Sequence, residues 1–287
     1  MPTPPILTSA AEFLSRYDVV LSDIWGVVHD GKTAYPGVND VLSRFRAGGG
    51  TVVLVTNAPM TADAIALLLD DKGVARSAWD GIVGSGDIAL RQIVTQGYTR
   101  VYGIGARPRD NSFFDAVPNL VEDLDAADAI ACTGLVDDRR ETAEQYRPLL
   151  ERALALNLPF VCVNPDLAVH VGPDLLPCAG AIAVIYEAMG GAVFWCGKPH
   201  PSAYATALEV AVELRGGAVA KSRVLGIGDA IRTDLRSAQT AGVDSLFIAG
   251  GLHRDEIIRN GAIDREVLNA ALGQAGVQPV AVMQHLV

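Results

Sequence analysis

Tyr17-Asp18-Val19-Val20-Leu21-Ser22-Asp23-Ile24-Trp25-Gly26-Val27-Val28-His29-Asp30-Gly31 reads as a buried strand that ends on an acid. The apolar run Val19 to Leu21 hands the chain to Asp23, and a turn with Gly26 follows. A parallel strand of an open α/β sheet delivers a side chain to the sheet's carboxyl edge in this way, and such sheets bind ligands there. Alone, the pattern suits a strand-terminal Asp capping a turn as well as it suits a nucleophile. The rest of the chain supplies three matching parts in order.

Outward from that stretch, strands and helices alternate. Ser9-Ala10-Ala11-Glu12 has the form of a capping box opening a short helix through Arg16. Val38 to Ala47 has helical spacing and stops at Gly48-Gly49-Gly50. Thr51 to Thr56 is a β-branched apolar run, hence a second buried strand, and Thr61 to Lys72 is a helix closed by Gly73. Ile82-Val83 is a third, short strand. This β-α-β-α-β order implies a parallel sheet with right-handed crossovers. From Gly84 the alternation restarts, with strands at Val101–Gly105, Ala129–Cys132 and Pro159–Val163 and helices at 87–96, 142–156 and 179–189. Pro148 is expected to kink the second of these helices. The last block returns to the first type: Phe194 to Lys198, a helix over 202–215, Arg223 to Asp229, a helix over 234–241, and Ser245 to Gly251. The fold class is therefore α/β: a Rossmann-like parallel-sheet core over residues 1–83 and 191–287, with an inserted α/β cap domain over 84–190.

Composition narrows the function. The chain has 287 residues, half of them hydrophobic, and a net charge of −10. No Lys/Arg cluster suggests a nucleic-acid or membrane surface. The four cysteines, Cys132, Cys162, Cys178 and Cys196, have no CxxC spacing and read as core residues of a reducing compartment. The Pro-rich start, Met1 to Leu7, lacks the basic and apolar regions of a signal peptide, and no apolar run is long enough to span a bilayer. The expected location is cytoplasmic.

Four strand ends carry Asp23, Thr56, Lys198 and Asp229, with Asp234 one helical turn past Asp229. If all four strands share one parallel sheet, these side chains converge on one edge. Clustered carboxylates repel one another, and a hard, oxygen-seeking Mg²⁺ ion relieves that repulsion. A phosphoryl group would then lie among the metal, the Lys198 ammonium and the Thr56 hydroxyl. The chemistry that follows is attack by Asp23 on phosphorus, an aspartyl phosphate, and its hydrolysis.

Four motifs in order resemble the haloacid dehalogenase (HAD) superfamily, class IIA, over nearly the whole chain. Val20 to Val27 is similar to the first motif, Val55-Thr56-Asn57 to the second, Gly197-Lys198-Pro199-His200-Pro201 to the third, and Gly228-Asp229-Ala230-Ile231-Arg232-Thr233-Asp234 to the fourth. Val163-Asn164-Pro165-Asp166, followed by Pro177-Cys178-Ala179-Gly180, is similar to the class IIA signature late in the cap. The resemblance implies a Mg²⁺-dependent phosphohydrolase acting on a small phosphorylated metabolite. It makes Asp23 nucleophile and metal ligand, with the Trp25 carbonyl, Asp229 and Asp234 completing the metal site. It gives Thr56, Asn57 and Lys198 the phosphate, and puts Asn164 and Asp166 among the substrate-binding residues. Relatives of this class often pair through their caps, although the sequence itself is silent on oligomeric state.

One position departs from the pattern. Most phosphatases of the superfamily carry a second Asp two residues after the nucleophile, as general acid and base; here it is Trp25, and indole transfers no proton near neutrality. The dehalogenase branch has an aromatic residue there and the phosphonatase branch a small one. A dehalogenase, a phosphonate hydrolase and a low-turnover phosphate-ligand binder are therefore the rival readings. The retained Asp229/Asp234 pair favours metal-dependent ester hydrolysis. His29 and Asp30 read as solvated turn residues, His200 as a surface or outlying histidine beside Lys198, and His170 as a loop histidine or a substrate contact. Trp79 and Trp195 read as core, and Asp123, Asp125 and Asp128 as a solvated acidic face. Arg139-Arg140 reads as a surface pair, and Gly103-Ile104-Gly105 is too short for a dinucleotide site.

Overall fold

The computed structural model describes residues 3–171 and 174–287. Met1 and Pro2, part of the N-terminal reading, lie outside the described residues, and so does the side chain of His170. The chain forms two compact units: Met1–Thr56, Ile65–Val83 and Ala203–Val287 make the first, and Asn57–Ala64 with Gly84–Ser202 the second.

The first unit is built on a six-stranded sheet in the order Ala281–Met283, Asp244–Ile248, Val224–Gly228, Val19–Ser22, Thr51–Thr56, Gly81–Gly84. Val19–Ser22 lies between Val224–Gly228 and Thr51–Thr56, parallel to both, with Ser22 opposite Ile227 and Leu54. Every residue of Val19–Ser22 and Val224–Gly228 is buried, as strands covered on both faces require. The helix Val38–Ala47 follows its expectation; Gly50 beyond it lets the chain pass under Phe45, whose ring would lie 2.4 Å from an added Cβ. The N-terminal helix is shorter than expected, Ala11–Leu14, and Ser9 Oγ makes only a 3.5 Å contact with the Ala11 N–H.

Beyond Gly251 the sequence reading assigns no element. The structure adds a helix at Arg265–Ala275, started by Asp264, whose carboxylate accepts the N–H groups of Glu266 and Val267. Its Leu268 and Leu272 pack with Ile231, Phe247 and Ile257, and the edge strand Ala281–Met283 closes the sheet.

The second unit has its own five-stranded parallel sheet, in the order Val193–Trp195, Phe160–Cys162, Ala129–Cys132, Val101–Ile104, Leu120–Val121. Here one expectation is corrected: the strand before Lys198 pairs with Phe160–Cys162, so it does not share a sheet with the strands before Asp23, Thr56 and Asp229. Phe160, Tyr186, Ile130 and Leu150 fill this unit's core, and the Tyr186 hydroxyl donates to the Leu158 carbonyl at 2.7 Å. Pro148 does not kink a helix. A 3₁₀ turn at Ala143–Tyr146 precedes the α-helix Arg147–Ala155, and the proline sits in the first turn, where its missing N–H costs nothing. An antiparallel hairpin, Ala168–Val171 with Asp174–Pro177, was not apparent in the sequence. All four cysteines are free, buried thiols of this second unit. Among the described residues no helix is long and apolar enough to cross a membrane.

Candidate functional site

Parallel register places the first unit's chemistry on one edge. Because Ser22 pairs with Ile227 and Leu54, Asp23 lies one residue past that register and Thr56 and Asp229 two residues past it. The Asp23 N–H donates to the Ile227 carbonyl at 2.8 Å, which fixes the Asp23 backbone to the strand that leads to Asp229. Asp234 follows on a π-helical turn, Ile231–Leu235, a rare form of helix frequent at functional sites. Carboxylate oxygens of Asp23, Asp229 and Asp234 all lie within 4.8 Å of one another. Asp229 and Asp234 are buried, and Asp23 is half-buried.

Glycines make room for these acids. A Cβ on Gly26 would lie 1.8 Å from Asp229 Oδ2, and one on Gly251 would lie 2.1 Å from it. A Cβ on Gly228 would lie 2.1 Å from that of Asp234. Gly26 also has φ +85°, a conformation natural to glycine. Backbone donors hold the outer oxygens: Leu252 N–H to Asp229 Oδ2 at 2.6 Å, and Ala230 N–H to Asp234 Oδ2 at 3.0 Å. Three converging carboxylates with backbone packed against them form a hard oxygen donor set, which fits Mg²⁺ or Ca²⁺ and no soft metal.

The turn after Asp23 differs from its expectation at one residue. His29 is buried, 3% exposed, not solvated. Gly26 N–H donates to the His29 carbonyl at 2.9 Å, and Gly31 N–H donates to His29 Nδ1 at 2.9 Å, so the flap folds over the imidazole. Burial pushes the His29 pKa below its ordinary value. Asp30 is solvated as expected; it accepts the N–H groups of Lys32 and Thr33, and those backbone bonds hold its carboxyl below the usual range. Trp25 is 56% exposed.

The second unit gathers the other motif residues around Asn57. Its Nδ2 donates to the Lys198 carbonyl at 2.9 Å and to Asp166 Oδ1 at 3.0 Å, while the Lys198 N–H donates to Asn57 Oδ1 at 2.8 Å. Asn164 Oδ1 accepts the Asp166 N–H at 3.1 Å. Asn164 and Asp166 therefore shape a loop and link it to Asn57 and Lys198. Gly180 permits this, since its Cβ would lie 2.4 Å from the Pro165 carbonyl oxygen. Lys198 is buried, 3% exposed. His200 stacks on Trp195 at 4.8 Å with rings 5° apart; Trp195 is partly buried and packs against this unit's core, and Trp79 is buried. Burial pushes the His200 pKa down. The space-making roles of Gly228 and Gly251 were missed in the sequence, although both glycines are adjacent to motif or strand ends.

Comparison with known proteins matches these elements. A family model described as haloacid dehalogenase-like hydrolase matches residues 20–116, and one described as HAD-hydrolase-like matches residues 195–275. A solved haloacid dehalogenase-like hydrolase from Brucella suis 1330 is 39% identical, covering 97% of this chain and 99% of that one, with a TM-score of 0.81. The chain belongs to the haloacid dehalogenase-like hydrolases. Within that family its fold is class IIA-like. This hydrolase is also similar to a dihydroxyacetone phosphatase from Corynebacterium glutamicum, at 33% identity over 35% of this chain and 34% of that protein. The match thus spans about a third of that curated relative's length. A glycerol phosphate phosphatase from Mycobacterium tuberculosis, solved in complex with calcium, is 25% identical over 83% of this chain and 68% of that one, with a TM-score of 0.63.

Proposed function

We propose that this hydrolase is a Mg²⁺-dependent phosphatase of a small phosphorylated metabolite, working through an aspartyl phosphate on Asp23. The observation that carries the reading is the cluster of Asp23, Asp229 and Asp234 within 4.8 Å. Halide displacement has no use for three such acids. The Trp25 carbonyl completes the ligand set in this reading. The bound cation supplies charge neutralisation to a phosphoryl group. Asp23 then attacks phosphorus, Thr56 donates its hydroxyl to a phosphoryl oxygen, and Lys198 brings the balancing ammonium. Asn57 positions Lys198 through the two backbone bonds described above. The unit containing Gly84–Ser202 serves as the cap, and Asn164 and Asp166 shape its substrate loop. The similarity to a dihydroxyacetone phosphatase and to a glycerol phosphate phosphatase supports a small phosphate ester. Four reduced, buried thiols support a cytoplasmic setting.

The test is a panel of phosphorylated metabolites with and without Mg²⁺, read as orthophosphate release. Asp23→Asn is expected to lower turnover roughly 10³-fold or more with the fold intact. Substantial activity in that variant, or turnover indifferent to chelation, would remove the proposed chemistry.

A further inference from the structure

The flap after the nucleophile offers no ready proton donor. Trp25 carries an indole, which does not ionise as an acid near neutrality. His29 is 3% exposed, and its Nδ1 is occupied by the Gly31 N–H. Asp30 Oδ1 accepts two backbone N–H groups at 2.8 Å, the bonding of an ionised carboxylate. An ester whose leaving oxygen must be protonated would find little help here.

The same flap does offer a flat apolar face. Trp25 lies two residues after Asp23 and is 56% exposed, although tryptophan is a residue that folding normally buries for most of its surface. The indole is seated on one side: a Cβ on Gly31 would lie 2.9 Å from Trp25 Cζ2, and the His29 ring lies 5.9 Å away at 54°. Glycine at position 31 therefore gives the ring its seat, while much of its remaining surface is open. Aromatic partners stack on such a surface with a preference beyond the area they bury.

Resting on the phosphatase reading above, we propose that the substrates are aryl phosphate monoesters, with Trp25 stacking on the aromatic leaving group. Asp23 forms a bond to phosphorus while the bond from phosphorus to the aryl oxygen breaks. The electron pair departs with that oxygen as an aryloxide, which takes its proton from water after leaving. Water then attacks the aspartyl phosphate, restoring the Asp23 carboxylate and releasing orthophosphate and a proton.

The experiment compares wild type, Trp25→Phe and Trp25→Leu, each with Mg²⁺ and each checked for folding by circular dichroism. Its substrates are phenyl phosphate and a fluoroalkyl phosphate matched in leaving-group acidity, so that only the ring distinguishes them. Wild type is expected to favour phenyl phosphate about tenfold in kcat/KM; Phe keeps most of that preference and Leu loses it. In parallel, calorimetry measures phenylphosphonate and ethylphosphonate, which are not turned over, and the same order is expected in affinity. An unchanged phenyl preference in Trp25→Leu, in both assays, overturns the stacking role. Glycerol phosphate hydrolysed as fast as phenyl phosphate overturns unassisted departure. Absence of orthophosphate from every ester, with phenylphosphonate still bound through Trp25, would sink the phosphatase reading and leave the aromatic ligand class standing.

Discussion

Trp25 shows how a residue's surroundings decide what a substitution does. With over half its surface in solvent, the indole fills no cavity, so Trp25→Asp should cost no more than about 0.5 kcal/mol in stability. The new carboxylate stands where an acid is otherwise missing. We expect hydrolysis of alkyl phosphates to rise by as much as ~10²-fold and the dependence on leaving-group acidity to flatten. Steady-state kinetics over a leaving-group series checks this; a stable variant with no gain on alkyl esters would show that the side chain does not reach the leaving oxygen. The identity of Trp25 was legible in the sequence, but its exposure was not, because exposure depends on how the flap folds. His29 is the companion case. A histidine beside Asp30 and Gly31 looks solvated, and only the bonds donated by the Gly31 and Gly26 N–H groups reveal that the turn closes over it.

At the scale of elements, strand ends were readable wherever an apolar run met an acid. Val19–Ser22 and Val224–Gly228 are such runs, Thr51–Thr56 is one that meets a hydroxyl and an amide instead, and burial on both faces is why alternation was unnecessary to find them. The three-residue strand Val193–Trp195 was placed in the wrong sheet because nothing local records a strand's partner. The late strand Ala281–Met283 was missed for a similar reason: three apolar residues become a strand only when Asp244–Ile248 is there to pair with them. The end of Val224–Gly228 carries a prediction. Gly228→Ala would drive a methyl group to 2.1 Å from Asp234 Cβ, so the π-helical turn must shift. Overpacking of this kind costs typically about 1–3 kcal/mol. Chemical denaturation should register that loss, and Mg²⁺ titration followed by thermal shift should show weaker binding than in wild type. Unaltered Mg²⁺ affinity would mean that Asp234 is not needed for the cation.

Over the whole molecule, His29, His200 and His285 set an acid limit. All three titrate below the ordinary imidazole value of 6.5, chiefly because burial disfavours their charged forms. The unfolded chain therefore takes up protons first. Stability is full above about pH 6.5 and falls as the pH drops from there toward the lower folded-state values. Urea midpoints at about pH 7.5 and about pH 5.5, the latter still above the carboxylate range, should differ in that direction, and His285→Asn should narrow the gap. The four thiols have a different use, as a built-in reporter. Burial pushes Cys132, Cys162, Cys178 and Cys196 up in pKa, and a thiol kept protonated and out of solvent is slow to alkylate. All four belong to the second unit and none to the first. A maleimide pulse followed by mass spectrometry should leave the native protein unmodified, and each added mass should time the opening of that unit alone, with no engineered label.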